Sequence, residues 1–255
     1  MNARLMSAAA ALIALAALGV AVFQPLATPV AAPAQTQDDD FGPRVRAYLL
    51  ENPQVLSEVV AALEAQEDAA QAVIEAEMLV ANADALFNDP NDWVGGNPDG
   101  DVTIVEFLDY RCGFCRRAHP EIDALVAQDP NIRLVIKEFP ILGEESVLAS
   151  RFALSARFAF GDDAYKAIHD ALMSVQGPIS ATSLARVAQN ANLDAQTIFE
   201  GIEDRRVTEM LMASRSLAQA LQINGTPAFA LQDRVLRGYL PLDAMQAVVD
   251  EVRGG

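Results

Sequence analysis

The sequence predicts an α/β fold: a βαβ unit and a closing ββα unit, separated by an inserted all-helical domain and preceded by an N-terminal helical segment. Three observations predict it. Val102-Thr103-Ile104-Val105-Glu106-Phe107-Leu108 is apolar on both alternating faces apart from Thr103 and Glu106, the pattern of a strand covered on both sides. Residues 144–221 carry recurring helical periodicity and no strand pattern. Strand patterns return at 228–231 and 234–236, and a helical pattern follows them.

Taken in order, the first segment reads as a targeting signal. Arg4 is the only charged side chain before Asp38, and an apolar run extends from Ala8 to Phe23. That run is short for a membrane span, which needs about 20 residues. Ala32-Pro33-Ala34 then supplies small residues in an A-x-A pattern suited to cleavage before Gln35. Residues 1–34 are therefore expected to be a signal peptide cleaved near Ala34, the alternative being an uncleaved anchor. Either way the remainder is expected outside the cytoplasm, in the periplasm.

An acidic linker, 35–40, leads into residues 43–63, where Val45, Tyr48, Leu49, Leu56, Val59, Val60 and Leu63 fall at helical spacing. Asn52-Pro53 interrupts them. Asn favours the N-cap and Pro the first helical position, so two short helices are predicted with a break there. Over 69–87, Val73, Val80 and Phe87 stand seven apart with Ala76 and Ala83 between, a weak heptad. It suits a self-association helix and an amphipathic helix lying on its own domain equally well. Residues 41–90 are thus a helical segment through which the chain could form a homo-oligomer.

The turn-rich stretch 88–100 marks the boundary to a main domain at 91–255, with Trp93-Val94 as a short edge strand. After the 102–108 strand, a helix is expected over about 112–127, with Ile122, Leu125 and Val126 inward, and a second strand over 132–136. This is the βαβ unit. Four or five helices follow in an insert spanning about 144–222, with breaks at Gly161-Asp162, Gly177-Pro178 and Ala191-Asn192. A hairpin turning at Gln232-Asp233 and a helix over 242–252 close the chain.

Composition narrows the function. The 255 residues are 52% hydrophobic, which excludes a disordered chain. Asp and Glu number 35 against 18 Lys and Arg, for a net charge of −17. That argues against nucleic acid as a partner, because phosphate binding needs clustered basic side chains. There are two cysteines, Cys112 and Cys115. A bond between them would close a loop too short to constrain the unfolded chain, so a structural staple is a weak reading.

Cys112-Gly113-Phe114-Cys115 sits where a strand ends and a helix begins. The helix N-terminus carries partial positive charge and unpaired N–H groups, which lower the pKa of a thiol placed there. Cys112 is the expected attacking thiolate, and Cys115, one turn further in, is placed to resolve a mixed disulfide. Arg111, Arg116 and Arg117 add positive charge nearby. Glu106 lies on the strand face with Val102, Ile104 and Leu108, where burial should raise its pKa and suit it to relay a proton to or from Cys115. The alternative is that the strand edge lets it reach water. A metal centre is the rival chemistry. Zinc would need both histidines, His119 and His169, and a Cys–Cys–His copper or zinc site through His119 is the variant the spacing allows. Each histidine alone reads as a surface or packing residue, and no metal or other cofactor is expected. Thr226-Pro227 precedes the hairpin, and an X-Pro bond there can be cis.

Phe107-Leu108-Asp109-Tyr110-Arg111-Cys112-Gly113-Phe114-Cys115, with Asn224-Gly225-Thr226-Pro227-Ala228-Phe229 downstream, resembles the DsbA-like thioredoxin-fold proteins. The resemblance runs from about Asp101 to the C-terminus and implies a thioredoxin-like fold with an inserted helical domain. It implies that Cys112 is the nucleophile and Cys115 the resolving thiol. Pro227 would be a cis-proline facing them, Thr226 and Phe114 would contribute to substrate binding, and Glu106 would be the buried acid beneath the pair. Tyr48-Leu49-Leu50-Glu51-Asn52-Pro53-Gln54-Val55-Leu56 is similar to the N-terminal segment of the ScsC-like branch, in which some members oligomerise. The partners implied are cysteine-containing exported proteins and a membrane redox partner. Gly113-Phe114 departs from the Pro-His of the strong oxidants. Without that His, Cys112 should be less acidic than theirs, which favours isomerisation or reduction over oxidation. A dithiol oxidase and a periplasmic copper-handling protein remain as alternatives.

Overall fold

A computed structural model describes residues 40–254; the predicted signal segment lies outside the described residues. The chain divides into two compact units, one up to Ser57 and one from Glu58 on.

In the first unit, helix α1 (Phe41–Glu51) stops at Asn52, and helix α2 starts at Gln54. The break falls at Asn52-Pro53 as expected, but Asn52 does a different job there. Its side chain and backbone N–H donate to the Tyr48 carbonyl at 2.9 and 2.8 Å, closing the end of α1, while its own carbonyl accepts from the Val55 N–H at 3.1 Å at the start of α2. The second helix is not short either. α2 runs for 28 residues, Gln54–Ala81, because no Pro or Gly falls between those positions and strong helix formers, Ala foremost, make up most of it. It ends at Asn82, whose side chain donates to the Met78 carbonyl, and α3 (Ala83–Phe87) follows. The heptad positions Val73 and Val80 are 60% and 78% exposed, whereas Leu79 and Leu86, a neighbouring pair also seven apart, are buried in the second unit.

A five-stranded sheet in the order β1-β3-β2-β4-β5 forms the centre of that unit. Strands β2 (Val102–Leu108) and β3 (Ile132–Glu138) are parallel and joined through helix α4 (Gly113–Gln128). The edge strand β1 (Trp93–Gly96) pairs antiparallel with β3. The hairpin β4 (Ala228–Ala230) and β5 (Val235–Arg237) pairs antiparallel with β2. Five helices lie between β3 and β4, at the upper end of the expectation: α5 (Glu144–Phe160), α6 (Asp162–Ser174), α7 (Ala181–Asn190), α8 (Ala195–Gly201) and α9 (Arg205–Ala220). Helix α10 (Leu242–Gly254) ends the described chain. The architecture is a mixed α/β thioredoxin-like fold with a helical insert, as expected.

The alternation of β2 divides the core. Val102, Ile104 and Leu108 join a cluster with Ile122 and Leu125 of α4, Met245 and Val249 of α10, and the helical insert. Val105 and Phe107 face the opposite way, against Leu79, Leu86, Leu217 and Leu221. Glu106 is on the α4 side by this period of two. Two polar ties fasten the segment from Glu75 to Asp92 to the sheet. Lys137 of β3, buried, pairs with Asp92 and donates to the Ala85 carbonyl at 2.7 Å. Glu75 of α2 accepts from the Val235 N–H at 2.8 Å and pairs with Arg237 at 2.6 Å, so it covers the outer edge of β5.

Candidate active site

The loop from β2 to α4 is built on Asp109. Its carboxylate, fully buried, accepts from the Arg111 N–H at 2.7 Å and from Ile141 and Leu142 at 2.8 and 3.0 Å. One side chain thus joins the turn before Cys112 to the loop after β3. The Asp109 carbonyl also accepts from the Cys112 N–H. Cys112 then occupies the N-cap of α4 with an extended backbone, and Cys115 lies inside the first turn.

The two thiols differ sharply. Cys112 is pushed down to about 5, first by a hydrogen bond from the Cys115 thiol; burial opposes this, and the Thr226 side chain and the N–H groups of Cys115 and Phe114 assist. The N–H groups of the helix N-terminus act in the lowering direction, behind the Cys115 thiol and Thr226. The lowering of the thiol rests chiefly on hydrogen bonds rather than on arginine charge. Arg111 is paired with Glu145 at 3.1 Å, and Arg116 donates to the Tyr110 carbonyl at 2.8 Å. Cys115 is fully buried, and its pKa is driven far up, first by its hydrogen bond to Cys112, then by burial and by Glu106.

Thr226-Pro227 is a cis peptide bond, and the structure brings it to the cysteines: the Cys112 Sγ donates to the Thr226 carbonyl at 3.1 Å. Phe114 is 60% exposed beside Cys112. Glu106 is buried to 2%, away from any water-reaching strand edge. Its Oε1 has no hydrogen-bond partner among the described residues. Burial raises its carboxyl to about 7, against a lowering influence from His119.

Beyond Glu106 lies a polar cluster that no motif announced. Buried Glu138 accepts from Tyr110, Tyr165 and Ser150, each at 2.7 Å, and burial lifts it to about 7. Tyr110 also meets the His169 ring nitrogen at 3.0 Å, and burial pushes His169 down to about 3. His119 packs edge-on against His169 and pairs with Asp170 at 3.1 Å. Among the described residues, the group of side chains close enough to share an ion is His119, His169 and Asp170. Neither cysteine belongs to it, so the Cys–Cys–His arrangement is not assembled, and Lys166 already holds both oxygens of Asp170.

Sequence reasoning passed over Tyr239. It follows Gly238, whose N–H bonds the Pro227 carbonyl at 2.9 Å, and it stacks on Phe114. No motif surrounds it; only its position after the hairpin could have drawn notice. Two cavities of about 560 and 580 Å³ lie elsewhere, one lined by Ile141, Val147 and Arg151, the other by Glu121, Gln128 and Pro241, and neither includes a cysteine. Of the Cys112–Cys115 segment, Phe114 is the exposed side chain, while Cys112 is 7% exposed and Cys115 is fully buried.

Comparison with known proteins gives two matches to family models: the DSBA-like thioredoxin domain over residues 103–250, and the copper resistance protein ScsC N-terminal domain over residues 37–70. Among solved structures, a thioredoxin-like oxidoreductase from Silicibacter pomeroyi is 45% identical with a TM-score of 0.64, covering 68% of this chain and 98% of that one. ScsC from Proteus mirabilis is 29% identical, TM-score 0.63, over 85% and 96%. A periplasmic thioredoxin-like protein from Salmonella enterica is 31% identical, TM-score 0.62, over 68% and 96%. A sodium/proton antiporter, NhaA, of Salinispora arenicola is 30% identical over 169 residues, 66% of this chain; the chain spans about a quarter (26%) of that antiporter's length.

Proposed function

This chain belongs to the DSBA-like thioredoxin family, and from that premise we propose that it is an exported thiol–disulfide oxidoreductase acting on cysteine-containing proteins of the periplasm. The observation that carries the reading is the asymmetry of the pair: an acidic Cys112 at a helix N-cap, and a buried Cys115 held as a thiol beneath it.

That asymmetry orders the steps. The Cys112 thiolate attacks one sulfur of a substrate disulfide; the Cys112–substrate bond forms, the substrate S–S bond breaks, and one substrate sulfur leaves as a thiolate. Cys115 then gives its proton toward Glu106, whose carboxyl near 7 can accept and release it at neutral pH. The Cys115 thiolate attacks Cys112, forming the Cys112–Cys115 disulfide and releasing the second substrate sulfur with the electron pair. Run backwards, the same steps oxidise a dithiol substrate. If a second thiolate of the substrate attacks the mixed disulfide before Cys115 does, a new substrate S–S bond forms, the Cys112–substrate bond breaks and Cys112 leaves as a thiolate, which is isomerisation. The cis Pro227 and the Thr226 carbonyl beside Cys112 suit an extended substrate segment.

Gly113-Phe114 between the cysteines supports isomerisation or reduction as the working direction, with a membrane redox partner resetting the pair. A second reading, dithiol oxidation, is favoured by the thiol near 5, because a stabilised thiolate makes the disulfide more oxidising. Equilibration with glutathione separates the two: a potential clearly above that of the glutathione pool favours oxidation, one near or below it favours reduction. The activity itself is tested by insulin reduction and by a Cys115→Ala trap, which should accumulate mixed disulfides with exported proteins. No insulin reduction and no trapped partner would sink the proposal.

A further inference from the structure

Phe114 is held in place despite its exposure. Its ring stacks on Tyr239 with centroids 6.4 Å apart and planes 26° from parallel. The Arg117 guanidinium lies 4.4 Å from the Tyr239 ring centroid, and the Tyr239 hydroxyl donates to Glu121 at 2.6 Å. Phe114, Arg117 and Glu121 are i, i+3 and i+7 along α4, so one helical face grips one tyrosine. Tyr239 reaches that face because Gly238 turns the chain back with φ +99°, a left-handed conformation that favours glycine, while its N–H holds the Pro227 carbonyl at 2.9 Å. The aromatic pair is therefore tied to the reacting centre at both ends: through α4 to Cys112, and through Gly238 to the cis-proline.

Building on the oxidoreductase reading above, we propose that Phe114 and Tyr239 form a side-chain subsite that receives an aromatic or long aliphatic residue flanking the substrate cysteine. A mixed disulfide at Cys112 fixes the substrate backbone within a few residues of this platform, so the occupant is the polypeptide already joined to the protein. An ordered aromatic pair, exposed at Phe114 and half-buried at Tyr239, is a good receiver because its own side chains lose little further freedom when covered. A further aromatic contact of this kind is worth a preference of roughly three- to tenfold.

The test uses the full reduced chain and symmetrical peptide disulfides that differ at one position next to cysteine: Trp, Leu, Ser or Asp. The readout is the ratio of second-order rates, each referred to glutathione disulfide with the same protein. Trp and Leu peptides should react about three- to tenfold faster than Ser in the wild type. Tyr239→Ala and Phe114→Ser should bring the ratio below about two, whereas Tyr239→Phe should preserve it. Phe114 is exposed, so its replacement reads the subsite even if Tyr239→Ala disturbs the fold. A wild type without preference, a preference for Asp, or ratios unmoved by either variant would overturn the subsite. A wild type inert toward every peptide and toward glutathione disulfide would instead overturn the oxidoreductase reading, and the subsite with it.

Discussion

At the scale of single residues, the acidity of Cys112 rests first on the thiol three positions away. Cys115→Ala removes that donor, so it should move the Cys112 titration upward from about 5, read as thiolate absorbance near 240 nm. The sign for stability follows from the direction. A thiol lowered in the folded state stabilises the reduced protein fully above its ordinary value near 9, and the contribution is lost as pH falls through about 5. The reduced form should therefore gain on the oxidised form, which lacks this thiolate, as pH rises from 5 to 9 in paired thermal melts. Glu106 works in the opposite sense. Its carboxyl is raised from 4.5 to about 7, so the folded protein loses stability as pH climbs through that window. Glu106→Gln should stabilise by on the order of 3 kcal/mol at pH 7 and above and by nothing below pH 4. It should also slow resolution of a mixed disulfide by roughly 10²-fold at neutral pH, seen by stopped flow. A faster resolving step in that variant would remove Glu106 from the proton path.

At the scale of elements, Glu75 joins a helix to a strand edge. Glu75→Ala leaves the Val235 N–H without its acceptor and takes the carboxylate from Arg237, which keeps the Leu221 and Val235 carbonyls, and should cost about 1–2 kcal/mol in denaturant unfolding. Amide exchange at Val235 should rise with it. This contact shows what was hidden from the sequence. Short-range patterns gave β2, α4 and the hairpin to within one or two residues, because each is set by its own periodicity and turn chemistry. The Cys112–Cys115 pair and the burial of Glu106 were legible for the same reason. Asn52 was misread because either helix flanking it could use its side chain, and only the Tyr48 carbonyl within reach decides between them. Glu75, Asp109 and Tyr239 depend on partners 160, 32 and 118 positions away, and no local pattern records such distances.

At the scale of the whole molecule, two sets of contacts are drawn from different parts of the chain. The unit from Glu58 on holds the dithiol and both apolar clusters. On α1 and α2, Tyr48, Leu50, Leu56, Val59, Val60 and Leu63 are each more than half exposed, an apolar load that a lone chain seldom carries in water. The matched ScsC N-terminal model covers this stretch. Light scattering coupled to gel filtration should give an oligomer for residues 35–255 and a monomer for 71–255, a truncation that keeps Glu75, Leu79 and Leu86 in place. A monomeric longer chain would reject self-association through residues 41–90. Isomerisation would gain from such assembly, since several sites could engage one misfolded chain.

The sheet margins carry one more consequence. β1 has four residues and ends in Gly95-Gly96, while β5 has three and has its outward N–H occupied by Glu75. On the proposed function the protein meets unfolded polypeptides, which can lengthen an open sheet, strand upon strand, into an aggregate. Short margins, one of them stoppered by a carboxylate, deny an incoming chain a template for that growth. Under the same proposal, the place left for an extended chain is the cis-proline loop beside Cys112, where contact would end in exchange and release.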